Sequence, residues 1–163
     1  EIGCIDTLAQ NCLKKENEGE LRVFCWNIER GYVLEELLNE MRTKNPDVLL
    51  LQEVDNGNIR TLKKDCAKEI AKGLGMKYYV YGVEFVELES IRRTPVLQGG
   101  GTHGNAIISR FPIKQAKVIH LPIAYNWGNS LRQPREGNRI AVTCIVESNF
   151  GDIGCVSVHL ENC

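Results

Sequence analysis

No apolar run in this 163-residue sequence approaches the roughly 18 residues of a membrane-spanning helix, which excludes an integral helical membrane protein. Neither sign of charge is in surplus. The 20 Lys and Arg face 21 Asp and Glu, a formal net charge of -1, so a broad basic footprint for nucleic acid is missing and only a local patch would serve. No C-x-x-C pair occurs among the seven cysteines, which removes the zinc-site and dithiol-redox readings. Internal repeats, low-complexity tracts and linker-like stretches are also missing. What remains is an ordinary globular composition, 43% hydrophobic and 25% charged, at a length that suits one domain with a sizeable core.

Cys25, Cys144 and Cys155 lie in apolar, strand-like runs, where a cysteine packs as a small buried hydrophobe. Reduced core thiols favour an intracellular setting, although the chain opens at Glu1 and secretion stays open if a leader was removed. Cys4 and Cys12, in the less regular N-terminal segment, are the pair left for a bridge.

Residues 1–20 read as a short amphipathic lead-in and a solvated loop. LRVFCWNI (21–28) is apolar on both faces, as a central strand covered on both sides would be. Leu34, Leu37, Leu38 and Met41 then form one helical stripe, which Asn45-Pro46 ends because a residue before proline leaves the α region. DVLLLQEV is a second buried strand, and strand, helix, strand predicts a parallel crossover unit. Leu62, Cys66, Ile70 and Leu74 predict a second helix that stops at Gly73 or Gly75. Residues 77–88 read as one strand, or two broken near Gly82, and QGGGTHG (98–104) as a flexible loop. Strands are predicted at 105–110, 117–122, 139–148 and 153–162, the last two joined as a hairpin across SNFGD. This order predicts an α/β sandwich with helices outside its sheets.

Three strands end in polar groups that the pattern does not need: Asn27, Glu53 and His159. Taken singly, each has a bland explanation as a turn residue, a first exposed acid or an edge histidine. If the strand ends converge, an amide, a carboxylate and an imidazole meet at one rim, as ligands do at strand ends in open α/β sheets. Such a set suits a hard divalent cation with a histidine donor facing substrate.

WNIERG, PDVLLLQEVD, HGNAIISRFPI and VSVHLEN, in this order, resemble the endonuclease/exonuclease/phosphatase superfamily from about residue 21 to 163. The resemblance implies a four-layer α/β/β/α sandwich, incomplete here, with the first half and the start of the second. It divides the chain into a lead-in (1–20) and a domain (21–163) cut short at its C-terminus. It implies a phosphoesterase that uses Mg²⁺, or Mn²⁺ in its place, for in-line attack of water on a phosphate ester. Glu53 would be the principal metal ligand, with Asn27 supporting the metal and the scissile phosphate. His159 would hydrogen-bond a phosphate oxygen in the transition state. Arg139 would steady a phosphate or the local fold, and Asn105 and Arg110 would shape the site.

The family's G-D-x-N and S-D-H segments do not occur in these residues: Gly151-Asp152 is followed by Ile-Gly, and no histidine follows Ser-Asp. The expectation is a front half that is inactive alone and exposes an open sheet edge and a bare face. A non-catalytic binding module with the same fold is the competing reading. In YNWGNSLRQPREGN (125–138), Trp127, Arg132 and Arg135 offer a ring and two guanidinium groups to a substrate. Nucleic acid and phosphorylated small molecules or lipids both stay open as that substrate. The GGGTHG stretch precedes a strand rather than opening a helix, so it is no P-loop, although His103 could reach the rim.

Overall fold

The computed structural model describes residues 2–4, 19–122, 127–130 and 132–160. Residues 5–18 of the predicted lead-in, Cys12 among them, and Tyr125, Asn126 and Leu131 of the arginine loop lie outside the described residues. So does residue 161 onward of the predicted last strand.

Two sheets form the scaffold. The strands are β1 (Ile2–Cys4), β2 (Val23–Arg30), β3 (Val48–Asn56), β4 (Tyr78–Glu87), β5 (Thr102–Ser109), β6 (Ile113–His120), β7 (Arg135–Gly137), β8 (Ile140–Ser148) and β9 (Gly151–Val158). The first sheet runs β1-β4-β5-β3-β2, with β7 added to β4, and the second runs β6-β8-β9. β2 and β3 are parallel, as the intervening helix α1 (Leu34–Lys44) requires. α1 buries Leu34, Leu37, Leu38 and Met41 and ends at Asn45, whose left-handed backbone returns its N–H to the Met41 carbonyl. Together with α2 (Cys66–Gly73) it covers one face of the first sheet. The three-stranded sheet packs on the other face through Val48, Val80, Ile107, Ile140, Val142 and Val146. The mixed α/β architecture with outer helices is therefore as the sequence predicts, and the described residues supply an α/β/β part of the sandwich.

Several local expectations are corrected. β2 is not central but the edge of the first sheet, so Val23 is 48% exposed and Cys25 is an exposed thiol rather than a buried one. Residues 2–4 pair antiparallel with β4 instead of belonging wholly to a lead-in loop. α2 begins at Cys66, where the Asp65 carboxylate accepts from the Lys68 N–H, and Leu62 lies outside it at 79% exposure. β4 is unbroken at Gly82. A Cβ there would sit 2.5 Å from Val142 Cγ2 and 2.8 Å from Ile140 Cδ1, so the missing side chain lets the sheets close.

The glycine-rich stretch is pinned, not loose. Gly101 donates to Asn58 Oδ1, Gly100 donates to the Glu87 carbonyl, and the Gly99 carbonyl accepts from Ile59. A Cβ on Gly101 would lie 2.4 Å from the Asn56 carbonyl oxygen. An exposed apolar face does exist, on Ile119 of β6 and Val156 and Val158 of β9.

Candidate functional site

A double irregularity in the first sheet builds the rim. The β2–β3 register shifts between Asn27 and Arg30, and the β3–β5 register shifts between Leu51 and Val54. Gln52 and Glu53 therefore oppose the single residue Asn105, a bulge of the kind that re-aims a side chain. Glu53 adopts a positive φ of 53°, uncommon for a residue with a Cβ and held only where the surroundings fix it. The bulge sends the two neighbours opposite ways. Gln52 is buried against the second sheet and donates to Ser157 Oγ at 2.9 Å, while Ser157 donates to the Leu51 carbonyl at 2.9 Å. Glu53 turns to the rim and keeps 22% of its side-chain exposure.

That clamp carries β9 across the sheet-sheet boundary and brings His159, two residues beyond Ser157, to Glu53. Asn27 Nδ2 donates to Glu53 Oε1 at 3.1 Å, and His159 Nε2 lies 3.9 Å from the same oxygen. Asn27 Oδ1 accepts from the Glu29 N–H at 3.0 Å, so its amide is fixed at both ends. Arg139 Nη1 approaches His159 Nδ1 at 3.3 Å. Because guanidinium only donates, Nδ1 is the acceptor and the ring proton sits on Nε2, facing Glu53. Arg139 also donates to Glu84 Oε1 at 3.1 Å and lies over the Trp127 ring at 5.1 Å.

Burial pushes the Glu53 carboxyl up, but the Asn27 hydrogen bond and the fields of His103, Arg30 and His159 outweigh it and hold it below the ordinary range. It is therefore an anion at neutral pH.

Beneath the rim lies a buried ionic network that single-residue reading missed. Arg60 pairs with both oxygens of Asp55 at 2.7 and 2.8 Å and with Glu87 at 2.9 Å. Glu87 also takes Arg93 at 2.6 Å, and Asp55 bonds His103 Nδ1 at 2.8 Å. His103 is 2% exposed and stacks on Phe85 at 4.7 Å, with Trp127 edge-on to Phe85 at 5.1 Å and Arg135 over it at 4.5 Å. The network's members, Asp55 with Arg60, Glu87 with Arg93, and His103, come from separate segments, and no local pattern announces them.

The structure thus brings Asn27, Glu53, His159 and Arg139 together. Asn105 lies below them without exposure, tying β5 to β8 through the Ile140 carbonyl at 3.2 Å. Trp127 and Arg135 pack around Phe85, and Arg132 is exposed. Arg110 lies at the opposite end of the strands, where it bonds the Pro46 carbonyl and Asn45 Oδ1. Among the described residues no group of three or more His, Cys, Asp or Glu gathers to hold a metal.

A family model described as the Endonuclease/Exonuclease/phosphatase family matches residues 24–145. The crystal structure of an endonuclease/exonuclease/phosphatase from Beutenbergia cavernae DSM 12333 is similar at 24% identity and a TM-score of 0.64, over 86% of this chain and 38% of that one. A family protein from Leptotrichia buccalis C-1013-b is similar at 17% identity and a TM-score of 0.54, over 87% and 55%. D. rerio TDP2, complexed with single strand DNA product, is similar at 16% identity and a TM-score of 0.51, over 88% and 47%. At these identities the likeness is one of fold, and the chain spans about 38% to 55% of the length of these structures. No curated protein matches the chain.

Proposed function

The chain belongs to the endonuclease/exonuclease/phosphatase family, and from that premise we propose that its rim is the metal and phosphate end of a phosphoesterase site. The observation that carries the reading is the meeting of Asn27, Glu53 and His159 around one carboxylate oxygen.

The residues fit a hard divalent cation. Glu53 is ionised and partly exposed, and only its Oε1 is hydrogen-bonded among the described residues. Mg²⁺ takes one or two carboxylates and keeps several waters, so Glu53 with Asn27 beside it is a sufficient protein contribution, and Mn²⁺ meets the same donors. Bound there, the ion supplies Lewis-acid stabilisation of charge on the phosphoryl and leaving oxygens during attack by water.

The chain's own groups do the rest. Asn27 orients Glu53 through its amide. His159 offers Nε2–H to a phosphate oxygen, strongest where charge develops in the transition state. Arg139 fixes the tautomer and angle of His159 while Glu84 and Trp127 hold its guanidinium, which makes it a positioning residue with a charge toward the phosphate. Asn105 anchors the start of β8, and so Arg139, from below. Arg132 and Arg135 extend positive charge along the rim for a nucleic acid or another phosphorylated substrate.

The domain spans residues 21–163 in this reading, and the G-D-x-N and S-D-H segments do not occur among them. The experiment is hydrolysis of bis-(p-nitrophenyl) phosphate by the protein expressed from its whole reading frame, with Mg²⁺ and with chelator. Metal-dependent turnover that falls by orders of magnitude in Glu53→Gln is expected. Equal rates with and without metal refute it, and no turnover with downstream G-D-x-N and S-D-H missing favours the binding module.

A further inference from the structure

A third register break in the first sheet lies in β4. Its pairing with β5 shifts between Val83 and Phe85, which makes Glu84 the extra residue of a bulge. Successive residues of a regular strand face opposite ways, so one of the two would point outward. Here Glu84 and Phe85 are each 2% exposed, and both serve one group, the Arg139 guanidinium. Glu84 takes Arg139 directly at 3.1 Å, and Phe85 reaches it through Trp127.

Arg139 Nη1 serves two acceptors at once, Glu84 Oε1 at 3.1 Å and His159 Nδ1 at 3.3 Å. Hydrogen bonds weaken steeply as they bend, so a small swing of the guanidinium plane keeps one contact at the expense of the other. The Trp127 ring, 5.1 Å from the guanidinium carbon, is the face on which that plane rests. Trp127 lies in a single helical turn (Trp127–Asn129) and meets Phe85 at 5.1 Å between ring centres, at 77°. Phe85 is itself immobilised. It stacks on His103 at 4.7 Å and 19°, and Arg135 lies over it at 4.5 Å. Gly137 passes so close that a Cβ there would sit 2.6 Å from Phe85 Cα. His103 in turn bonds Asp55 at 2.8 Å, so an unbroken line of contacts joins the buried ionic network to the rim histidine.

We infer that Phe85 and Trp127 are positioning residues for His159: they set the plane of Arg139 and through it hold the imidazole with Nε2–H toward Glu53. Trp127 then serves Arg139 rather than a substrate base. This role rests on the proposed function for what His159 does to a substrate, whereas the tautomer of His159 is read with neither metal nor substrate present.

The experiment is ¹⁵N–¹H correlation NMR of the imidazole rings in metal-free protein expressed from its whole reading frame, at about pH 8, where an ordinary histidine is neutral. His159→Gln assigns the resonances. Wild type is compared with Trp127→Leu, Trp127→Phe and Phe85→Leu, each checked for folding by circular dichroism. Wild type is expected to show the Nε2–H tautomer alone. Trp127→Leu and Phe85→Leu are expected to give a mixture with roughly a third or more Nδ1–H, while Trp127→Phe, which keeps an aromatic face, retains the wild-type form. Should Phe85→Leu fail to fold, Trp127→Leu decides. With Mg²⁺ and bis-(p-nitrophenyl) phosphate, kcat is expected to fall about tenfold in the leucine variants, with KM within about twofold. A tautomer shift without turnover in wild type supports the positioning role and counts against the proposed function. The Nε2–H form alone in folded Trp127→Leu overturns the inference, as does a raised KM with unchanged kcat, which would make Trp127 a substrate contact.

Discussion

Replacing Asp55 by asparagine tests the scaffold under the rim. The side chain is fully buried, as is its partner Arg60, and its two oxygens take Arg60 at 2.7 and 2.8 Å and His103 at 2.8 Å. The amide would keep the volume of the carboxylate, so no cavity opens. It would, however, turn an N–H₂ toward donors and leave Arg60 to share Glu87 with Arg93. Removing one partner of a buried ion pair costs about 3–5 kcal/mol, because the other charge stays behind uncompensated. For a urea slope near 2 kcal/mol per molar, that lowers the unfolding midpoint by about 2 M. The corresponding fall in Tm is on the order of 6–20 °C at this length. Urea unfolding followed by tryptophan fluorescence measures it, with Lys114→Ala as the contrast. Lys114 pairs with Glu147 and Asp152 at the surface and is expected to leave the midpoint unchanged. A loss below about 1 kcal/mol in Asp55→Asn refutes the reasoning, since the network would then be neither dry nor coupled.

Acid should weaken the fold through the same groups. Burial alone raises the Asp55 and Glu87 carboxyls, but their arginine partners, and His103 for Asp55, outweigh it and hold both below the ordinary 3.8 and 4.5. The unfolded chain therefore binds protons first, so this stabilisation is complete above about pH 4.5 and is lost as pH falls through the lower folded values. Urea midpoints should stay level toward that pH and then drop, less steeply in Asp55→Asn; a profile as steep in the variant contradicts the assignment. Gly82→Ala, whose Cβ meets Val142 Cγ2 at 2.5 Å, should cost about 1–3 kcal/mol by the same assay, and a neutral result would show that the sheets do not close there.

The sequence carried the architecture where periodicity is strong. The α1 stripe and the parallel β2–β3 unit were legible because each face is set by local spacing. It misled at β2, whose apolar residues read as two covered faces although the strand is an edge. The alternation reports what a strand is suited to meet, not what lies beside it. In the rim, Asn27, Glu53 and His159 stood out because polar residues ended apolar runs. The bulge that joins them was not legible, since a register shift depends on the partner strands. QGGGTHG looked loose because glycine signals freedom, whereas here it signals crowding: Gly99 and Gly101 pass against backbone and side chain at distances no Cβ tolerates.

In the proposed function Glu53 is an anchored anion for a divalent ion, with Asn27 and the Nε2–H of His159 beside it. The direct measurement is calorimetric titration of Mg²⁺ and Mn²⁺ into the folded chain and into Glu53→Gln. One saturable site is expected that weakens at least tenfold in the variant while its circular dichroism stays unchanged. Metal affinity equal in the two proteins would contradict it.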